Sequence, residues 1–304
     1  MAATNQVTEA AIRDFWNTHP CGDHQVKGLE GDYEAFFCRY DEMRYRREEH
    51  ILRCLNAIDW KGKQVLEIGL GQGSESEQII RRGAMWSGVD LTPESIARVS
   101  MRLRLKQLPY KRLECGSALA LPFPDNSFDI VFSHGVLHHI PDVRTAQREI
   151  ARVLNPGGKL IVMLYARRSL NYFVSIAVVR RLAVAGLYAT RLRPSGIVGR
   201  HLSNARKLGL RRYLAMPQFI HANTDGPENP YSKVYDRATV QADFPDFSIE
   251  LIQQHFMHAP PLPVARLKFL TGVLGWHVWV HMRSRKCNTE PAAGAFHARH
   301  SARA

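Results

Sequence analysis

Cysteine is scarce. The chain's five cysteines, Cys21, Cys38, Cys54, Cys115 and Cys287, are odd in number and show neither a Cys-x-x-Cys pair nor a Cys/His metal spacing. That excludes a disulfide framework and a structural metal knot, and reduced thiols in a cytoplasm are the simple expectation. Long apolar runs are missing too. No stretch reaches the roughly 20 uninterrupted apolar residues that span a bilayer, and the most apolar one, Tyr172 to Tyr188, is split by Arg180 and Arg181. The opening MAATNQVTEAAIRDFW has no basic start and apolar centre, so no secretory leader is expected. Acidic residues are absent from one segment. Residues 166–212 hold 11 basic and no acidic side chains, residues 1–165 balance 21 against 21, and residues 213–304 carry nine against seven. The net charge of +13 is therefore local, not a surface tracking a polyanion along the whole protein. No RNA-binding module or base-stacking motif accompanies it, and nucleic acid is not expected as a partner.

What is present is an ordinary globular composition: 304 residues, 45% hydrophobic and 23% charged, enough for one large α/β domain with elaborations. Residues 1–60 read as a helical cap. From residue 64 to 165 short apolar strands alternate with amphipathic helices: Val65-Leu66-Glu67-Ile68, MWSGVDL, Leu113-Glu114-Cys115, SFDIVFSHG and, after the turn Asn155–Gly158, KLIVMLY. Such alternation predicts a parallel sheet covered on both faces. Two further strands, FSIELIQQHFMH and WHVWVHMRS, follow the basic segment. The expectation is a doubly wound Rossmann-like, mostly parallel seven-stranded sheet with an antiparallel last strand, an N-terminal helical cap and an inserted helical lid. The expected boundaries are a cap at 1–60, a core at 61–165, a lid at 166–235, the rest of the sheet at 236–286, and a frayed tail at 287–304.

Gly69-Leu70-Gly71-Gln72-Gly73 follows the first strand and opens a helix, where glycines let backbone N–H groups approach a ligand. Asp90 ends the next strand, where a carboxylate can accept from ribose hydroxyls. A plain glycine turn, a dinucleotide site and an adenosyl site all remain open at this point. The dinucleotide fingerprint fits less well, because its last glycine is replaced by Ser74 and Glu67 stands just before the turn.

VLEIGLGQGS, GVDLTPESI, CGSALALPFPDNSFDIVFSHGVLHHIPD and REIARVLNPGGKLIVMLY together resemble the ordered motifs of class I S-adenosylmethionine-dependent methyltransferases over about residues 64–165. FWNTHPCG, FFCRYDEMRYR, NPYSKVY and GWHVWVHMRSRK are similar to the flanks of a bacterial subgroup acting on small biosynthetic molecules. The resemblance implies S-adenosylmethionine as cofactor. Gly69, Gly71 and Gly73 would form its loop, Glu67 would sit near its ammonium, Asp90 at its ribose and Leu91 on its adenine. Ser133 would line its methionine arm. Ser117 stands where the family usually has an acid for the adenine amino group, so Ser117 and the Ala118 backbone are the candidates there. The cap helices would close over the cofactor through Trp16, Tyr33 and Arg44.

Residues beyond the strand ends are the candidates for chemistry. His134 comes first as general base or substrate orienter, then His138 and Tyr165, with His139 read as structural. Tyr33, Arg168, Arg180, Lys233 and Tyr235 are the substrate-binding candidates, and no metal is expected. The basic lid admits three readings: a roof over an apolar substrate with an anionic head, such as a prenyl diphosphate, lipid or quinone precursor; a peripheral contact with an anionic membrane; or a plain solvated lid. The expected activity is O-, C- or N-methylation of a small or amphiphilic metabolite by a cytoplasmic enzyme. A nicotinamide-dependent oxidoreductase and a non-catalytic cofactor-binding regulator are the alternatives.

Overall fold

The structure, a computed structural model, describes residues 7–286 except 23–25, 27, 30 and 191. The expected tail at 287–304 lies outside the described residues. Helices α1 (Glu9–Thr18), α2 (Tyr33–Arg47) and α3 (His50–Asn56) form the cap. The core then runs β1 (Gln64–Ile68), α4 (Ser74–Arg81), β2 (Met85–Asp90), α5 (Pro93–Leu105), β3 (Arg112–Cys115), β4 (Phe128–His134), α6 (Val143–Val153) and β5 (Leu154–Tyr165). The insertion holds a π-helical run Asn171–Arg180 continuing into α7 (Arg181–Ala189), then α8 (Gly196–Leu208), α9 (Leu210–Tyr213) and α10 (Met216–Phe219). Helix α11 (Arg237–Asp243), β6 (Phe247–His255), α12 (Thr271–Leu274) and β7 (His277–Ser284) complete the chain.

Seven strands pair in the order β3-β2-β1-β4-β5-β7-β6. Strand β7 runs antiparallel to both β5 and β6, and the other pairings are parallel. The expected sheet is thus observed. Its period-two alternation splits the core between the two faces. Leu66, Val131, Leu160 and Val162 pack on one side with α6. Val65, Phe132 and Ile161 pack on the other with Trp86 and Val99. Local signals set the helix starts. Thr92 accepts from Ser95 N with Pro93 in the first turn, and Asp236 and Thr239 form a capping box for α11.

One local expectation is corrected. Asn155–Gly158 is not a free turn before a strand; it lies inside β5, whose register against β4 shifts between Phe128 and Ile130. Asn155 Nδ2 donates to Asp129 Oδ1 at 2.9 Å, and the other Asp129 oxygen accepts from Gln64 N, so this irregular stretch is tied to β1 and β4.

The insertion leaves the sheet after Tyr165 and returns beside it. Tyr235 N donates to Tyr165 O at 2.7 Å, Arg167 N donates to Tyr235 O at 2.7 Å, and Ala166 bridges Tyr235. Between these points it has its own core of Ile176, Val184, Leu202, Tyr213 and Phe219, joined by Trp276 from the base of β7.

Candidate active site

A cavity of about 1420 Å³ opens beyond the carboxyl ends of β1, β2, β4 and β5, where the strand order reverses between β1 and β4. It is larger than the roughly 300–1,000 Å³ of a usual small-ligand pocket, so it has room for more than one small molecule.

The first end is built by the glycine loop. Gly69 adopts φ +77°, and a Cβ there would clash with the Val136 side chain. Gly71, at φ +52°, faces open space with Cys21 as its nearest neighbour at 3.7 Å, so its missing side chain leaves the backbone exposed to a ligand. Asp90 ends β2 and organises this loop: Oδ2 accepts from Leu70 N at 2.7 Å, and Oδ1 accepts from Thr92 N and Oγ1 at 2.8 Å each. Burial raises its pKa while these hydrogen bonds oppose the rise. Leu91, Gly116, Ala118 and Leu119 continue the wall. The cap covers it, since Gln72 Nε2 donates to Cys21 O at 3.1 Å.

Four expected cofactor residues stand elsewhere. Glu67 is buried on the α4/α5 side of the sheet and outside the cavity lining; Trp86 Nε1 donates to its Oε2 at 2.8 Å, and burial pushes its pKa up to about 8. The reason is strand alternation: Glu67 shares its face with Val65, not with the cavity rim. Ser133 donates to Ile68 O at 2.9 Å and is sealed in the sheet. Gly73 does not line the cavity and acts as the left-handed start of α4. Ser117 is absent from the cavity lining as well. Its hydroxyl donates to Glu9 Oε2 and accepts from Leu119 N at 2.9 Å. Glu9, on the first turn of α1, does line the cavity. An acid thus reaches the region where the resemblance asks for one, carried by the cap helix.

The second end holds the titratable groups. Arg44 Nη2 donates to His134 Nδ1 at 3.2 Å, and Arg44 Nε donates to Glu75 Oε1 at 2.9 Å. A guanidinium can only donate, so His134 Nδ1 is the acceptor and its buried, unpartnered Nε2 carries the proton. Burial and the Arg44 charge hold its pKa well below the usual histidine range. His134 is therefore a buried hydrogen-bond donor beside the cavity, not the base first expected. His139 has the opposite tautomer. Its Nδ1 faces Tyr231 O at 2.7 Å, which can only accept, so Nε2 is the basic nitrogen; it lies 3.4 Å from Asp225 Oδ2. Tyr165 Oη donates to Asp225 Oδ1 at 2.9 Å. His139, Asp225 and Tyr165 form one connected group at the cavity wall, with Trp16 edge-on to His139 at 5.1 Å. His138 lies outside the lining, its ring packed 3.9 Å from that of Tyr165.

None of the five expected substrate residues lines the cavity. Tyr33 packs by Phe37 on the cap. Arg168 is exposed, and its carbonyl accepts from Gln254. Arg180 is spent on backbone carbonyls of Pro260 and Asn223, its charge partly desolvated and its pKa lowered to about 10. Lys233 pairs with Asp243, and Tyr235 is core. Beyond the glycine loop the cavity is lined instead by Phe256, His258, Trp276, His277, Asp225 and Arg200. Sequence reading missed Asp225 because DGPENP carries a strong turn signal, and missed Glu9 because nothing local marks it.

Residues 66–162 match the family model described as "Methyltransferase domain". Residues 66–162 form a class I S-adenosylmethionine-dependent methyltransferase domain. Its curated relatives include the malonyl-[acyl-carrier protein] O-methyltransferase of Halorhodospira halophila, 33% identical over 144 residues covering 46% of this chain and 48% of that one. The chloroplastic tocopherol O-methyltransferase of Arabidopsis thaliana is 27% identical over 185 residues, 56% and 53% of the two chains. The demethylmenaquinone methyltransferase of Tropheryma whipplei is 31% identical over 129 residues, 39% and 53%. The chain thus spans about half the length of these relatives. Among solved structures, an S-adenosylmethionine-dependent methyltransferase from Mesorhizobium loti shares the fold with a TM-score of 0.50 at 17% identity, over 84% of this chain and 100% of that one.

The methyltransferase domain's cavity suits its cofactor. The loop at Gly69–Gly71 and Asp90 offer a nucleoside cradle that a Cβ at Gly71 would narrow, Glu9 and the Ala118 backbone lie at the β3 side, and Arg44 and Glu75 give one cation and one anion beyond the loop. The orphaned Nε2–H of His134 waits for an acceptor in the same space.

Proposed function

We propose that the protein transfers a methyl group from S-adenosylmethionine to a small amphiphilic acceptor, at the surface of a membrane on the cytoplasmic side. The observation that carries this reading is the continuity of one cavity from the glycine loop to a lidded chamber walled by Trp16, Phe256, Trp276 and the His139–Asp225–Tyr165 group. When bound, the cofactor supplies an activated sulfonium methyl. The chain's residues hold the acceptor in line, exclude water and take up a proton. The His139–Asp225 pair takes up the proton of a hydroxyl or other protic acceptor, the proton coming to rest between His139 Nε2 and Asp225 Oδ2, and Tyr165 orients Asp225. His134 Nε2–H and Arg44 orient polar atoms between the two ends. The curated relatives named for tocopherol and demethylmenaquinone support an apolar ring or chain on the acceptor, as does the aromatic wall.

Incubation with methyl-labelled cofactor and a lipid-containing metabolite extract, followed by mass spectrometry, tests the activity: label is expected in an apolar, extractable product. Tight S-adenosylhomocysteine binding with no label in any extract would favour a non-catalytic regulator. Binding of NADH in place of S-adenosylhomocysteine would favour an oxidoreductase.

A further inference from the structure

We propose that the outer face of the helix Asn171–Ala189, with the α7–α8 turn, is a docking surface for an anionic lipid bilayer. The sequence breaks this apolar run with Arg180 and Arg181, yet the structure makes it one continuous 19-residue helix, long and apolar enough by length and composition to cross a membrane. Its arginines do not face outward with the apolar residues. Arg180 turns inward, its Nε and Nη2 donating to Pro260 O and its Nη1 to Asn223 O; Arg181 Nη1 bends back to Ala177 O. What remains outside is apolar: Phe173 is 52% exposed, Val178 47% and Leu182 67%, with Val174 beside them. Val174, Val178 and Leu182 repeat every four residues and so lie on one line of the helix. An ordinary surface helix puts polar residues there. The opposite face is occupied, because Ser175, Ile176 and Val184 are buried against the lid and Pro260. The helix is therefore anchored in the protein by one side and can lie on a bilayer but not thread it.

Charge complementarity names the occupant. Residues 166–212 carry 11 basic and no acidic side chains. Leu192, Ile197 and Val198 are exposed on the α7–α8 turn and the first turn of α8, and Arg206 Nη2 donates to Leu192 O at 2.9 Å, bringing a cation to that apolar group. Only Arg167 and Arg200 of the segment's described cations reach a carboxylate, Asp236 and Glu228. A second copy of this chain would set the same cationic segment against itself, which is repulsive across a two-fold axis. Anionic headgroups satisfy both the cations and the apolar stripe. Ile197 and Arg200 also line the cavity, so the docked face meets the acceptor end; this last step rests on the amphiphilic acceptor proposed above, whereas the docking does not.

The test is co-sedimentation of the full chain with phosphatidylcholine vesicles, with and without phosphatidylglycerol, alongside S-adenosylhomocysteine binding. Wild type is expected to bind the anionic vesicles at least about tenfold more tightly and to release them in high salt. The double variant Val178→Glu/Leu182→Glu, altered only at exposed positions, should lose about tenfold in vesicle binding while keeping wild-type affinity for S-adenosylhomocysteine. Equal wild-type binding to both vesicle types, or none, overturns the proposal. So does a wild-type dimer that this double variant dissociates, without vesicle binding, since a second copy would then cover the face. Failure of both proteins to bind S-adenosylhomocysteine would count against the methyltransferase reading and leave the vesicle result standing.

Discussion

Ser117 and Glu9 are 108 residues apart in sequence and share a hydrogen bond at the cavity wall. The motif comparison locates the place where an acid is missing, but only the folded chain reveals which residue fills it, because no local pattern ties the first turn of α1 to the end of β3. Glu9→Gln keeps an acceptor for Ser117 and removes the charge. Its expected effect is a loss of about fivefold in S-adenosylhomocysteine affinity, on the scale of one hydrogen bond of about 1 kcal/mol. The analogue with inosine in place of adenosine should be unaffected, because its base lacks the amino donor. Calorimetry with both ligands checks this; equal losses for the two would mean that Glu9 acts through the cap's placement alone. The histidines teach a related lesson. Sequence ranks His134 ahead of His138 and reads His139 as structural, whereas the roles depend on Arg44 and the Tyr231 carbonyl, which no local pattern reveals and which fix opposite tautomers. His139→Gln is expected to lower kcat by about 10²–10⁴ with little change in KM, whereas His134→Gln should act mainly on KM. A His139→Gln variant with wild-type kcat would remove it as the base.

At the scale of elements, the sheet was legible and the cap's attachment was not. Strands β1 to β5 follow from apolar runs between turn residues, and only the inclusion of Asn155–Gly158 in β5 departs from that reading. The cap is held by charges whose partners no periodicity reveals. Arg102 of α5 is fully buried and donates to both oxygens of Asp41 on α2 and to Glu77 on α4, with its guanidinium over the Phe37 ring at 4.4 Å. Ser74 Oγ also donates to Asp41. This network fixes α2, and so Arg44, above the glycine loop. Arg102→Met fills similar space but leaves Asp41 and Glu77 without their cation, which costs about 3–5 kcal/mol when a buried pair loses one member. Urea unfolding measures the loss. S-adenosylhomocysteine affinity should fall with it, since α2 carries Arg44. A variant as stable as wild type would mean that solvent already screens this network. The lid's inward arginine follows the same logic: composition marks Arg180 as a lid charge, and only packing reveals that it binds carbonyls.

Across the whole molecule, buried titratable groups on both sides of the sheet set opposing pH dependences. His50 is held neutral by burial and neighbouring cations, with a pKa lowered to about 2; His258 is lowered to about 4, and His134, His138 and His277 fall well below the usual range. A base with a depressed folded pKa contributes stability above its unfolded value, about 6.5, and loses it as pH falls toward the folded value. Glu67 acts in the reverse sense. Its folded pKa, raised by burial to about 8, lies above the unfolded carboxylate value, so its contribution is complete at low pH and is lost as pH rises to about 8. The buried histidines outweigh the raised carboxylates Glu67, Glu48 and Asp90 while the unfolded chain still takes up histidine protons, and the carboxylates prevail above about pH 7, so stability should peak near there. Each unit of pH on the Glu67 limb is worth up to about 1.4 kcal/mol. Glu67→Gln keeps an acceptor for Trp86 and removes the titration, so the variant should match wild type near pH 5, gain on it by up to about 1.4 kcal/mol per pH unit from there toward pH 8, and keep the acid limb. Denaturant melts at pH 5, 6, 7 and 8 decide the matter: a wild-type curve flat from 5 to 7 would mean the histidines are charged in the folded protein, and an unchanged alkaline decline in the variant would mean another buried group titrates there.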